Sequence, residues 1–597
     1  MSFEQRRLRR PVLRICSGNG RPNQRILSDV PINTAITSPR GSAGRDRRLA
    51  QRECPSVKGS EHEFLAPPRL FLRNCRSRLF QTKVADSTGV ELTCGKLLTG
   101  ALVMKRLLER HVIGPDEKTV GILLPPSAGA VVVNAAVTLM RRVAVNLNYT
   151  LSNEDVNYCV RQAGVRHVLT SGRFLERRPF DLDADVVLLE DLRGRVGVFQ
   201  KLLCAAQAYV MPISWLESAL GLTHIRPDEL LTVIFTSGST GEPKGVMLSH
   251  GNVGSNINAV EAVLNVKRSD VLLGILPFFH SFGYTVNLWL TLALKPKTIY
   301  HYNPLDARVI GDLCRKYGVT ILVATPTFLR TYLKRCTKDQ FWNLNLVVVG
   351  AEKMPLDLAN EFREKFGVTP TEGYGTTELS PVATVNIPEW RASGRARGGT
   401  KLGTVGLPLP GVEAKVVHPE TGEDLGPGQE GLLLIKGPNV MKGYLNQPEK
   451  TAEVIQEGWY NTGDIARIDE EGYIEITGRQ SRFSKIGGEM VPHIRVEAEL
   501  MRIIQNSHAD EADVLLAVTS VPDEKKGERL VVLHKPLSKP IPQVLEELAA
   551  TGLPNLWIPS ADSFVEVESI PLLGSGKLDL KAIKQRALET FSQNGSP

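Results

Sequence analysis

Cysteine pairs, metal-ligand spacings and an unbroken apolar run of membrane length are all missing from this 597-residue chain. The eight cysteines (Cys16, Cys54, Cys75, Cys94, Cys159, Cys204, Cys314, Cys336) are scattered, with no C-x-x-C and no paired Cys/His spacing. That excludes a disulfide framework and a structural zinc and implies a reducing, cytoplasmic compartment. Residues 121–140 and 275–294 carry no Asp, Glu, Lys or Arg. Pro125 and Pro126 split the first window, and Pro277, His280 and Gly283 interrupt the second, so both read as buried core and not as membrane spans. No G-x-S-x-G occurs anywhere, which removes a hydrolase built on a nucleophile elbow.

A general excess of basic charge is also missing, although the net charge is +8. Residues 1–60 hold 13 Lys+Arg against 4 Asp+Glu, leaving 59 against 60 in the rest. The body is nearly neutral, so nucleic acid is not expected as a partner. Residues 1–78 read as a basic, disordered extension, with Pro and Gly breaks, no sustained apolar period and no secretory core. The chain is long enough for one large domain and a smaller one.

From residue 79 onward, strands and helices alternate. Strands are expected at 119–124, 144–147, 167–170, 271–276, 319–324 and 344–349, and helices at 130–140 and 153–163. This pattern predicts an α/β fold with parallel sheets and helices on their faces. From about residue 403 the spacing changes to short strands and glycine turns, which predicts a β-rich subdomain over 403–478. A smaller α+β unit follows over 479–597, with a helix near 495–504 and a hairpin turning at 523–527.

Against this frame, one loop concentrates phosphate-binding chemistry. Thr236, Ser237, Gly238, Ser239, Thr240, Gly241 and Lys244 lie in T-S-G-S-T-G-E-P-K-G, directly after the apolar strand 230–235. Glycine lets backbone N–H groups approach phosphate oxygens, the hydroxyls add donors, and lysine adds charge. The spacing is not that of a P-loop. A second stretch, E-G-Y-G-T-T-E, offers Tyr374 to stack on a base, Gly375, Thr376 to reach a phosphate, and Glu378 to hold Mg2+. Asp464 suits a ribose diol, and Lys577, in L-G-S-G-K, is a cation near the C-terminus. Singly, Tyr374 reads as well as core, Asp464 as a turn residue and Lys577 as a solvated side chain. Their occurrence together is what points to a site.

These stretches, with Gly478-Arg479, resemble in order the motifs of the acyl-adenylate-forming (AMP-binding) ligases, over residues 79–588. The stretch 478–493 is similar to the acyl-acyl carrier protein synthetase half of a bifunctional 2-acylglycerophosphoethanolamine acyltransferase. No acyltransferase-sized region precedes it, and His111 with Asp116, which has that half's spacing, falls in a loop of the ligase domain.

The resemblance implies a large N-terminal domain, 79–478, and a small mobile C-terminal one, 479–597. It also implies ATP-dependent activation of a fatty acid, release of pyrophosphate and transfer of the acyl group to a thiol. Thr236 through Gly241 and Lys244 would cradle the β- and γ-phosphates, and Thr236 and Glu378 would hold Mg2+. Gly350, Ala351, Glu352 and Tyr374 would flank adenine, with Gly375 and Thr376 beside them. Asp464 and Arg479 would take the ribose, His280 would line the carboxylate pocket, and Lys577 would bridge carboxylate and α-phosphate. The hinge, usually Lys-Asp, is Ser481-Arg482 here. Carrier-protein phosphopantetheine is preferred over coenzyme A as the acceptor, on the stretch around Phe483. A nucleotide-binding protein without turnover is the alternative of a different class. Attachment to the inner face of a membrane stays open at this point.

Overall fold

The computed structural model describes residues 64–236, 242–394, 398–487, 489–504, 514–523, 525–572 and 578–593. Two large sheets form the body. The first runs, edge to edge, Gly443–Tyr444, Lys244–Ser249, Leu230–Thr236, Val143–Asn146, Thr119–Ile122, His167–Thr170, Asp185–Leu188. From Leu230–Thr236 to Asp185–Leu188 its neighbours are parallel, and the two strands beyond Leu230–Thr236 are antiparallel. The second sheet has nine strands, its centre formed by Thr371–Gly375, Leu346–Val349, Ile321–Ala324, Val271–Gly274, Lys297–Tyr300 and Thr82–Asp86, all parallel. Both sheets are mixed, since hairpins close their edges.

The Ala128–Leu139 helix is buried on nearly every side, as an Ala/Val-rich segment with no charge requires. Ser127 caps it by accepting from the Ala130 amide. The window 275–294 contains a π-helical segment, Gly283–Leu290, with Tyr284, Leu288 and Trp289 fully buried. Gly283 is obligatory there, because a Cβ would lie 2.0 Å from the Pro277 carbonyl. Among the described residues no helix is long and apolar enough to cross a membrane.

The extension expected over 1–78 is corrected at its C-terminal end; residues 1–63 lie outside the described residues. Pro67–Arg76 is a helix that buries Phe71, Leu72 and Cys75. Its arginines, read from sequence as solvated charge, bond to buried partners. Arg69 and Arg73 bind the buried Glu217 carboxylate, and Arg76 donates to the Ala208 and Met211 carbonyls. Asn74 donates to the Leu292 and Leu294 carbonyls, at 2.8 and 2.7 Å.

After residue 403 the antiparallel strands Glu413–Val417, Glu430–Lys436, Trp459–Ile468 and Ile474–Arg479 form the β-rich sheet. Beyond Arg479 a further sheet, with Leu516–Asp523 and Gly527–His534 as its hairpin, packs on helices His493–Ile504 and Leu580–Gln593. The apolar residues here form clusters of their own, which is the mark of a separate small core.

Candidate active site

The candidate residues gather where parallel strands of the second sheet end, the place where open α/β sheets leave a crevice. Leu346–Val349 runs into Gly350, Ala351 and Glu352, and its neighbour Thr371–Gly375 carries Tyr374. A Cβ on Gly350 would stand 3.3 Å from both the Gly373 carbonyl and the Phe282 ring, so glycine keeps a flat opening between the strands. Ala351 is held at φ 68, a left-handed conformation that costs an L-residue about 1–3 kcal/mol. Such strain is tolerated where the backbone has a task. Exposed Glu352 accepts from the Thr327 hydroxyl at 2.7 Å. At the next strand, Gly375 has no room for a side chain, since its Cβ would lie 1.7 Å from the Pro381 carbonyl.

Tyr374 reaches the β-rich sheet. Its hydroxyl donates to Asp464 Oδ2 at 2.5 Å, and Arg479 Nε, opposite in the strand register, lies 2.8 Å from Asp464 Oδ1. Burial pushes the Asp464 carboxyl above its ordinary range, against the pull of Arg479 and the Tyr374 hydrogen bond. Asp464 in turn raises the Arg479 guanidinium. The ion pair links the Trp459–Ile468 strand to the end of the Ile474–Arg479 strand.

A second cluster surrounds Glu378, in the short turn Thr377–Leu379. Tyr444 donates to Glu378 Oε1 at 2.9 Å, and Lys244 Nζ lies 5.4 Å from the centroid of the Tyr444 ring. Lys244 pairs with Thr236 in register, so Thr236, Lys244, Tyr444 and Glu378 connect the two large sheets. Ser281 Oγ is 3.1 Å from Thr377 Oγ1, which ties the segment carrying exposed His280 to the same turn. The His280 ring packs on Phe279, with centroids 4.7 Å apart. Buried Thr376 Oγ1 stands beside the Tyr460 hydroxyl yet makes no well-formed hydrogen bond with any described group. Ser237, Gly238, Ser239, Thr240, Gly241 and Lys577 lie outside the described residues.

Sequence reasoning missed Tyr444, Tyr460 and an apolar cavity of about 110 Å³ behind the crevice. Phe282, Val286, Leu290, Val323, Val348 and Val385 line it, and Phe282 is also the ring beside Gly350. Its lining comes from segments far apart in the chain, and no local pattern marks it.

These features fit a nucleotide. A lone carboxylate near hydroxyls also fits Mg2+, which keeps several waters and binds one or two carboxylates plus phosphate. Among the described residues no group of three or more His, Cys, Asp or Glu could hold a metal without such help. Residues 73–445, more than half of the chain, match the family model described as AMP-binding enzyme. The chain belongs to that family. The family's reach back to residue 73 agrees with the ordered Pro67–Arg76 helix. As an AMP-binding enzyme it is 28% identical over 551 residues to a long-chain-fatty-acid–CoA ligase of Bacillus subtilis, covering 86% of this chain and 93% of the relative. It is 30% identical over 539 residues to a probable 4-coumarate–CoA ligase of Dictyostelium discoideum, covering 87% and 94%. The fold superposes on ATP-bound MatB from Rhodopseudomonas palustris with a TM-score of 0.70, at 26% identity, covering 88% of this chain and 99% of that one. The α/β fold with a large N-terminal and a small C-terminal domain is therefore the adenylate-forming one.

Proposed function

We propose that this AMP-binding enzyme activates an apolar carboxylic acid with ATP and passes the acyl group to the thiol of coenzyme A. The observation that carries this reading is the carbon-lined cavity whose wall includes Phe282, the ring that also stands beside Gly350 in the crevice. An acid seated tail-first in that cavity brings its carboxylate to the nucleotide crevice.

In the first half-reaction a carboxylate oxygen attacks the α-phosphorus, the bond to the β-phosphate breaks, and pyrophosphate leaves with the electron pair. In the second, the thiol sulfur attacks the acyl carbonyl carbon and AMP leaves. Neither half needs a covalent protein nucleophile, so the residues supply position and charge. Tyr374 stacks on adenine, the buried Asp464 accepts from the ribose, and Arg479 orients Asp464. Thr376 Oγ1, short of a partner, donates to a phosphate oxygen. Glu378, oriented by Tyr444, and Thr236 would hold Mg2+, whose charge offsets that of the phosphates when bound. Lys244 adds a fixed cation, His280 faces the carboxylate, and Lys577 reaches the α-phosphate from the C-terminal segment.

Both quoted sequence relatives are named as CoA ligases, and this favours coenzyme A over the carrier protein expected from the stretch around Phe483. The test is pyrophosphate release dependent on added fatty acid, followed by thioester formation with coenzyme A and carrier protein in parallel. Release with neither acid nor thiol dependence, or binding of ATP with no release, rejects a ligase; thioester on the carrier protein alone rejects coenzyme A.

A further inference from the structure

The Val198–Tyr209 helix is apolar on both faces, and only one of them is covered. Its inner face places Cys204 and Ala208 in the main core, against the Cys94–His111 helix. Its outer face carries Val198, Phe199 at 77% exposure and Leu202, followed by Val210 at 75%. At about 100° per residue these four fall within an arc of about 120°. Phe80, 83% exposed, extends the face: its ring lies 6.0 Å from that of Tyr209. The next helix, Ile213–Ala219, leaves Trp215 exposed as well. Scattered surface apolar residues need no explanation, but large ones on consecutive turns of one face do.

The charge around this face is mainly basic: Arg193, Arg195 and Lys201 are exposed and Arg106 donates to Gln207 of the helix, against the exposed Glu190 and Asp191 just before it. Glu217, which follows, is buried against Arg69 and Arg73 and offers no charge to the surface. We infer that this helix docks on a lipid bilayer bearing anionic headgroups, with Phe199, Leu202 and Val210 entering the acyl boundary and Arg193, Arg195 and Lys201 meeting the headgroups. An interfacial helix needs this combination of a wide apolar arc and basic flanks. A second copy of the chain is the poorer occupant. A two-fold contact sets the same basic residues against each other, whereas an anionic bilayer meets them with opposite charge. The inference does not depend on the ligase reading.

The test is co-sedimentation of the full chain with vesicles of phosphatidylcholine alone and of phosphatidylcholine with phosphatidylglycerol, at low and high salt. The chain is expected to pellet with the anionic vesicles and less so in high salt. A Phe199→Glu, Leu202→Glu variant should lose at least tenfold of that binding while keeping its melting temperature. An Arg193→Glu, Arg195→Glu variant, with the apolar face intact, should lose the preference for phosphatidylglycerol. Wild-type protein left in the supernatant of both vesicles overturns the inference. So does unchanged binding by both variants, or a wild-type dimer that the Phe199→Glu, Leu202→Glu variant splits.

Discussion

At the scale of single residues, the site combines groups whose environment costs stability. Thr376 Oγ1 is buried without a well-formed hydrogen bond, an arrangement that costs about 1–3 kcal/mol. Thr376→Val, which keeps the shape and removes the hydroxyl, should leave the melting temperature equal or higher while acid-dependent pyrophosphate release falls at least tenfold. Calorimetric melting beside a coupled pyrophosphate assay checks this; a variant that loses stability and keeps activity refutes the role. Asp464 is the converse case, since it is bonded on both oxygens and, under the proposed function, meets the ribose. Asp464→Ala strands Arg479 and the Tyr374 hydroxyl, so ATP affinity measured by titration calorimetry should drop at least tenfold, together with a loss of about 1–3 kcal/mol in stability. The residues around these two were legible because each group is contiguous in sequence. Tyr374 to Glu378 is one short stretch, and a hydroxyl, a ring and a carboxylate within five residues stand out. Tyr444 did not stand out, because its bond to Glu378 spans 66 positions.

At the scale of elements, strand positions followed from alternation, and the hairpin over Leu516–Asp523 and Gly527–His534 turns where its polar run implied. The Pro67–Arg76 helix was not legible, because four arginines in twelve residues look the same whether solvated or bonded to a buried carboxylate. The Arg69 and Arg73 bonds hold Glu217 below its ordinary range despite the opposing effect of burial. Glu217→Ala should therefore destabilise the body by about 3–5 kcal/mol, visible as an earlier urea transition, because it leaves Arg69 buried without its anion. Two other helices begin on buried histidines. Burial lowers His250, at the head of His250–Val263, to about 4, and lowers His493, at the head of His493–Ile504, to about 3. An unfolded histidine takes up its proton near 6.5, so between about 6.5 and 4 the unfolded chain binds more protons than the folded one. Stability must fall as the pH is lowered through that window, by up to about 1.4 kcal/mol per pH unit for each histidine. Unfolding followed at pH 6.5 and pH 4.5 checks the sign, and His250→Gln should flatten the slope for the N-terminal body only.

At the scale of the whole molecule, the cavity and the small domain set what the active site can do. The cavity was illegible in sequence because its walls come from the His250–Val263 helix, the π-helical segment and four strands of the second sheet. The small domain was legible from its change of spacing, but its use rests on one residue. Arg482, which the resemblance puts at the hinge, is buried and paired with Glu497 of the helix His493–Ile504, inside the same small unit. Under the proposed function the two half-reactions place opposite demands on Lys577: it is needed while carboxylate and α-phosphate meet, and it has no part when the thiol arrives. Lys577→Ala should therefore reduce acid-dependent pyrophosphate release at least a hundredfold, while thioester formation from chemically prepared acyl-adenylate and coenzyme A stays within a few-fold of wild type. Stopped assays of the two halves on the same preparation measure this ratio. Equal loss in both halves would mean that the lysine serves folding or acyl binding and not the first transition state, and the division of labour between the two domains would have to be abandoned.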